Sequence, residues 1–226
     1  CKTRRQRQMC IRDSPWIDPQ VIETGRALQH ILERPGLIPI AVDPHGEGAL
    51  YWADIGDYPY REWQHIFTIK TLANESKIKF AFKSSMDVLL NDDVFAEGIK
   101  PAGLIFHVSR CGSTLLGKSI ARLAENVVVN QGSPLQRGFW AYLTNEWSAP
   151  LRIDERSLQM FRNLVLAMTR KRSSEYSSSF IKFISWNTLY IDFIRQAFPG
   201  VPSIFLFRDP VEVIASVKKA TQWQWP

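Results

Sequence analysis

The run GLIFHVSRCGSTLLGKS, residues 103–119, decides the fold. Its opening segment, 103–108, reads as a continuous apolar strand of the kind buried on both faces of a parallel sheet. A helix follows the turn, starting near Ser113, with Leu115, Leu116, Ile120 and Leu123 on one apolar face. Further along, Ser133 and Pro134 open a short helix. Asp154 caps a longer one whose face is Leu158, Phe161, Leu164, Val165 and Met168. The serine-rich segment 172–179 is a surface loop. FIKFI (180–184) is a second buried strand, and LYIDFIRQAF (189–198) a helix ended by Pro199 and Gly200. SIFLF (203–207) is a third strand, running into the helix RDPVEVIASVKKA (208–220) with Asp209 as cap and Pro210 in its first turn. Strands alternating with helices predict an α/β fold, a parallel sheet flanked by helices, with ligands at the C-terminal strand ends.

Upstream, the pattern is mixed and predicts an N-terminal α+β extension over 1–100, distinct from a domain at 101–226. A helix is expected from Asp18 as N-cap and Pro19, with Val21, Ile22, Leu28, Ile31 and Leu32 as its apolar face. LIPIAV (37–42), GALYWADI (48–55) and the alternating KIKFAF (77–82) read as strands, and 60–73 as a helix. His30, His45 and His65 are scattered and read as structural. The basic start, from Lys2 to Arg12, reads as a solvated tail.

A net charge of +6 fits an anionic ligand, a nucleic acid or an acidic surface. Nucleic acid is set aside because no recognition motif accompanies the charge. Cys1, Cys10 and Cys111 have neither metal-ligand spacing nor a disulfide framework, which points to a reducing, cytoplasmic setting. No apolar run reaches membrane-spanning length, and no signal-peptide pattern is present. Both ends read as cut.

Gly112 to Ser119, GSTLLGKS, is a literal match to G-x-x-x-x-G-K-[ST], the phosphate loop of ATP- and GTP-using proteins. Phase argues against that reading. Three residues separate Val108 from Gly112, and Leu115 and Leu116 already belong to the helix, so Lys118 sits a turn or more inside it. The positions able to cradle an anion are Arg110, Cys111, Gly112, Ser113, Thr114 and Leu115, through backbone N–H groups, the helix dipole, two hydroxyls and one guanidinium. Asp209, the Mg²⁺ ligand an ATP reading needs, is explained as a cap before Pro210. Arg208 at a strand end and Ser216 two turns into the next helix then make a second anion pocket. Two such pockets on one sheet suit a nucleotide phosphorylated at two places.

This pair of motifs, FHVSRCGSTLL and FLFRDPVEVIAS, resembles those of sulfotransferases that use 3′-phosphoadenosine 5′-phosphosulfate (PAPS), over roughly residues 103–220. The resemblance implies a three-layer P-loop nucleotide-binding architecture and PAPS as co-substrate. The first motif, with Arg110 as a catalytic group, would hold the 5′-phosphosulfate, and Arg208 and Ser216 the 3′-phosphate. It further implies Lys182 as a catalytic lysine reaching the donor's bridging oxygen, no metal, and a small-molecule or glycan acceptor. Two departures leave the general base unassigned: Gln131 stands where relatives carry a glutamate, and Ile184 where others carry a histidine. His107 reads as a core residue. Trp140, Tyr142, Trp147 and Trp186 line an acceptor pocket or pack the core. A kinase using Lys118, Asp209 and Mg²⁺, and a nucleotide-binding relative without turnover, are the alternatives. Oligomeric state and acceptor identity stay open.

Overall fold

The computed structural model describes residues 20–222; the expected cap at Asp18 and Pro19 and the basic start lie outside them. Helix α1 runs over Thr24–Glu33, five residues later than the cap predicts. Gln20 and Ile22 instead exchange backbone hydrogen bonds with Lys83, and Val21 forms a parallel bridge to it. The backbone therefore extends here, and Val21 and Leu32 point outward while Ala27 and Ile31 form the buried face. Strands β1 (Leu37–Asp43), β2 (Ala49–Asp54) and β3 (Ala81–Ser85) make an antiparallel sheet in that order. Between them, α2 spans His65–Asn74 rather than starting at 60, because Gln64 is held in extended conformation. The third strand begins about four residues beyond the start of the predicted 77–82: its pairing with β2 runs from Ala81, opposite Ala53, to Ser85, opposite Ala49, and Asp54 N–H adds a bond to the Phe80 carbonyl at 2.9 Å. A 3₁₀ turn (Met86–Leu90) and the short α3 (Asp92–Phe95) lead on to the second half.

There the three expected runs become β4 (Pro101–His107), β6 (Ser178–Lys182) and β7 (Ser203–Leu206), while a fourth strand, β5 (Asn126–Asn130), was not expected. Strand β6 starts two residues early, taking Ser178 and buried Ser179 out of the expected surface loop because they pair with β5. The four strands form one sheet, all parallel, in the order β5-β6-β4-β7. The fold is thus α/β, with a four-stranded parallel sheet flanked by helices. Helix α4 covers Ser113–Ile120, starting where phase requires. Its buried side differs from the predicted leucine face: Leu115 is 74% and Leu123 55% exposed, whereas Ser113 and Gly117 are buried. Gly117 lies so close to β5 that a Cβ there would stand 2.2 Å from Asn130 Oδ1. Small residues, not leucines, are what this close approach needs.

The short helices α5 (Ser133–Gln136) and α6 (Gly138–Leu143) and the long α7 (Glu155–Met168) come next. Asp154 caps α7 with a full capping box, its carboxylate accepting from Ser157 N–H at 2.8 Å while Asp154 N–H donates to Ser157 Oγ. A 3₁₀ segment (Ser185–Tyr190) leads into α8 (Ile191–Ala197), and α9 (Pro210–Gln222) follows β7. Helices α5, α6 and α7 all pack on β1, so the hydrophobic core runs continuously from the antiparallel sheet to the parallel one. Gly138 marks the tightest contact in that junction: a Cβ would meet the Val42 carbonyl oxygen at 2.3 Å. Gly138→Ala should therefore lower unfolding stability by about 2 kcal/mol, the usual scale of overpacking against fixed backbone, read as a fall in the denaturant midpoint. A neutral result would mean that α6 and β1 separate easily.

Candidate active site

The C-terminal ends of β6, β4 and β7 are neighbours, and each delivers a functional group. After β4 the chain keeps its pairing to β7 for one more residue, Val108 N–H donating to the Leu206 carbonyl at 3.0 Å. It then turns through two left-handed residues, Arg110 (φ 62°) and Gly112 (φ 89°), before α4 begins. A left-handed non-glycine residue costs free energy that its surroundings must offset, and such residues gather at functional sites. Gln131, directly after β5, is a second case (φ 49°). Leu115 N–H, expected to join the cradle, instead donates to the Gly112 carbonyl at 2.9 Å. The N–H groups of Ser113 and Thr114 at the helix start, with the positive helix end, are what the turn offers an anion. Of the turn's side chains, Ser113 is buried, Thr114 and Leu115 are exposed and Cys111 is half-buried as a free thiol.

Lys182, the last residue of β6, is fully buried, and among the described residues its Nζ has no hydrogen-bond partner. Burial pushes its ammonium down to about 8, and the Cys111 sulfur across the turn is the influence that opposes this. The lysine stem passes under α4, with Cδ 3.2 Å from where a Gly117 Cβ would stand. Two further buried polar atoms at neighbouring strand ends also have no partner, Asn130 Oδ1 on β5 and His107 Nε2 on β4. His107 Nδ1 lies 2.9 Å from the Val108 carbonyl, so Nδ1–H donates there and Nε2 is the free nitrogen. Burial lowers its pKa, and the Lys182 charge acts in the same direction. Buried polar groups are nearly always hydrogen-bonded, so three unpartnered ones at the ends of β5, β6 and β4 mark this end of the sheet as unusual.

The residues expected to form the second pocket come together with the first. Arg110 Nε–H donates to Ser216 Oγ at 2.9 Å, and Arg208 reaches the Arg110 carbonyl at 3.4 Å. Arg208 also pairs with Glu212, one turn into α9, at 2.5 Å. Asp209 is engaged as a cap, its carboxylate accepting from Val211 N–H (2.8 Å) and Glu212 N–H (3.3 Å). Arg110 thus extends toward α9 rather than over its own turn, and the positive group under the turn is Lys182. Lys118 is exposed in the last turn of α4, far along the helix from the end where a phosphate-loop lysine belongs. Among the described residues no group of three or more His, Cys, Asp or Glu is disposed to hold a metal ion.

The N-terminal half reaches this end of the sheet at Gln64, which the sequence did not mark, and at His65, which it read as structural. Gln64 donates to the Gln131 side chain, and His65 Nδ1 lies 3.0 Å from Ser133 Oγ. Burial, helped by Arg172, pushes His65 down to about 3, so it is a neutral acceptor for the serine hydroxyl. Gln131 N–H donates to the Lys182 carbonyl at 2.7 Å, which ties this loop to β6. Trp140 is fully buried and stacked on Tyr190 at 4.2 Å, and Tyr142 packs over Gly48, so both belong to the core. Trp147 is 45% exposed, its ring under the Arg137 guanidinium and its Nε1–H donating to Tyr190 Oη. Trp186 stands edge-on to Tyr190, one residue from Ser185, whose hydroxyl accepts from Ser109 at 3.3 Å. Both indoles meet at Tyr190. No helix among the described residues is long and apolar enough to cross a membrane. Comparison with protein-family models, curated proteins and solved structures found no match to the chain.

Proposed function

We propose that the protein is a sulfotransferase moving a sulfuryl group from PAPS to a hydroxyl or amine acceptor. The observation that carries the reading is the hydrogen-bonded group Arg208–Arg110–Ser216, which joins a strand-end guanidinium and a helical hydroxyl to the turn before α4. Two anion-holding regions then share one crevice, as a nucleotide phosphorylated at both the 5′ and 3′ positions requires. The donor supplies the sulfuryl group. The turn's N–H groups and the α4 N-terminus hold its 5′ end, while Arg208 and Ser216 hold its 3′-phosphate. Lys182, sheltered from water, donates to the oxygen that becomes negative as the S–O bond breaks. At a lysine so buried, that charge stabilisation is the largest contribution expected. Trp147 and Trp186 flank the open side, where an acceptor enters.

The rival kinase reading requires Lys118 at a helix start and Asp209 on Mg²⁺; the first is exposed in the last turn and the second caps α9. The test is donor turnover. Incubated with PAPS, a panel of hydroxyl and amine acceptors and a metal chelator, the protein is expected to release adenosine 3′,5′-bisphosphate. Turnover only with Mg-ATP, with phosphate rather than sulfate transferred, would overturn the proposal.

A further inference from the structure

Strand β7 ends one side of the parallel sheet and has only β4 for a neighbour. The opposite edge strand, β5, is buried from Val127 to Asn130, whereas no residue from Val201 to Lys219 is buried. Successive strand residues point to opposite faces, and Ile204 and Phe205 are 49% and 45% exposed, so β7 is open on both faces. Phe207 is 78% exposed, and Val211 and Ile214 are exposed on the helix that follows. Parallel sheets are ordinarily covered on both faces, and edge strands are ordinarily guarded by a charge, a proline or a bulge. The run SIFLF (203–207) has no charge and no proline, and its pairing with β4 shows no register shift.

The ladder defines which backbone groups are open. Leu104 N–H donates to the Pro202 carbonyl and Val108 N–H to the Leu206 carbonyl, both at 3.0 Å. Even-numbered residues of β7 therefore turn their backbone groups toward β4, and Ser203 and Phe205 turn theirs outward. An apolar strand with a free row of donors and acceptors is a template for another strand.

We propose that β7 is a homodimer interface, to which a second copy of the chain adds its own β7, antiparallel, across a twofold axis at Phe205. That register sets Phe205 opposite the partner's Phe205, each N–H meeting the other's carbonyl, and Ser203 opposite the partner's Phe207. Pro202 then lies opposite the partner's Arg208, so no like charges face each other along the seam. Ile204, Phe205, Phe207, Val211 and Ile214 together expose on the order of 500 Å² per copy, about 1,000 Å² for the pair, which reaches the size a specific interface needs. Apolar patches of that extent mark association sites, and homodimer interfaces are the more apolar kind. A single open edge gives a closed pair rather than a fibre. The pairing does not depend on which nucleotide the candidate site takes.

The experiment is sedimentation equilibrium of the chain, in which a dimer that dissociates on dilution is expected. Phe205→Pro removes an N–H that makes no bond to β4, on an edge strand where proline is tolerated. It should sediment as one chain with an unchanged circular dichroism spectrum. Phe205→Lys sets like charges at the axis and should also be a single chain; it decides the matter should the proline variant unfold. In Phe205→Cys the two new thiols sit on Cα atoms about 5.5 Å apart, within disulfide reach, so mild oxidation should link the chains through position 205. Peptide mass spectrometry locates the link. A single chain at about 100 µM overturns the proposal, as do species larger than a dimer, a dimer that survives both substitutions, or a link formed only elsewhere. In a single chain, slow amide exchange at Phe205 would assign the edge to another segment of the same polypeptide, and fast exchange to a foreign partner.

Discussion

Arg208→Ala is expected to weaken adenosine 3′,5′-bisphosphate binding about 10- to 100-fold while changing affinity for adenosine 5′-monophosphate by less than about threefold. The range follows from a charge-assisted hydrogen bond contributing about 1.5–3 kcal/mol, at about 1.4 kcal/mol per tenfold. The selectivity follows from position. Arg208 belongs to the strand-end group with Ser216 and does not touch the turn N–H groups that would hold the 5′ end. In the free protein its Nε is tied to Glu212 and its Nη1 reaches the Arg110 carbonyl, which leaves Nη2 for a ligand. Titration calorimetry with both nucleotides on both proteins checks this. Equal weakening of the two ligands would mean that Arg208 holds α9 in place rather than a 3′-phosphate.

Lys182→Met should cost about 10²–10³ in turnover with little change in bisphosphate affinity, because the ammonium acts where charge develops on the leaving oxygen. A fall in affinity alone would mark it as a binding group. Its buried state adds a second signature. The folded-state value, about 8, lies below the ordinary 10.5, so between those values the unfolded chain binds more protons than the folded one. Stability of the unaltered protein should therefore rise with pH across that window, with the full penalty present below it. Lys182→Met should lack that rise, which melting temperatures of the two proteins across the window would reveal. Turnover, which needs the ammonium, should fall as pH passes about 8. A pH profile of stability identical in both proteins would contradict the buried, charged lysine.

Much of the parallel sheet was legible because its strands are short apolar runs ending in abrupt turns, so position along the chain sufficed. Asp154 and Asp209 were legible as caps for the same reason: capping is decided within four residues. The buried side of α4 was not. Counting apolar residues favours Leu115 and Leu123, yet the helix is drawn against β5 by the absence of side chains at Gly117. The N-terminal stretch misled because Gln20–Ile22 form a bridge to Lys83, a partner 60 residues away that no local pattern announces. At the site, Arg110, Arg208 and Ser216, singled out in the two motifs, do come together, and Lys182, which the resemblance implied, lies fully buried at the end of β6. Gln64 and Asn130 were not singled out, although Asn130 left a trace as a polar residue closing a run of three valines. His107, read as core, is buried as expected, with its Nδ1–H donating to the Val108 carbonyl.

Calorimetry on the unaltered protein tests the central claim most directly, with adenosine 3′,5′-bisphosphate titrated in the presence of a metal chelator and Mg-ADP titrated separately. The crevice formed by Arg208, Arg110, Ser216 and the α4 N-terminus predicts metal-independent binding of the bisphosphate, tighter than that of Mg-ADP. Preference for Mg-ADP, with no heat from the bisphosphate, would contradict it.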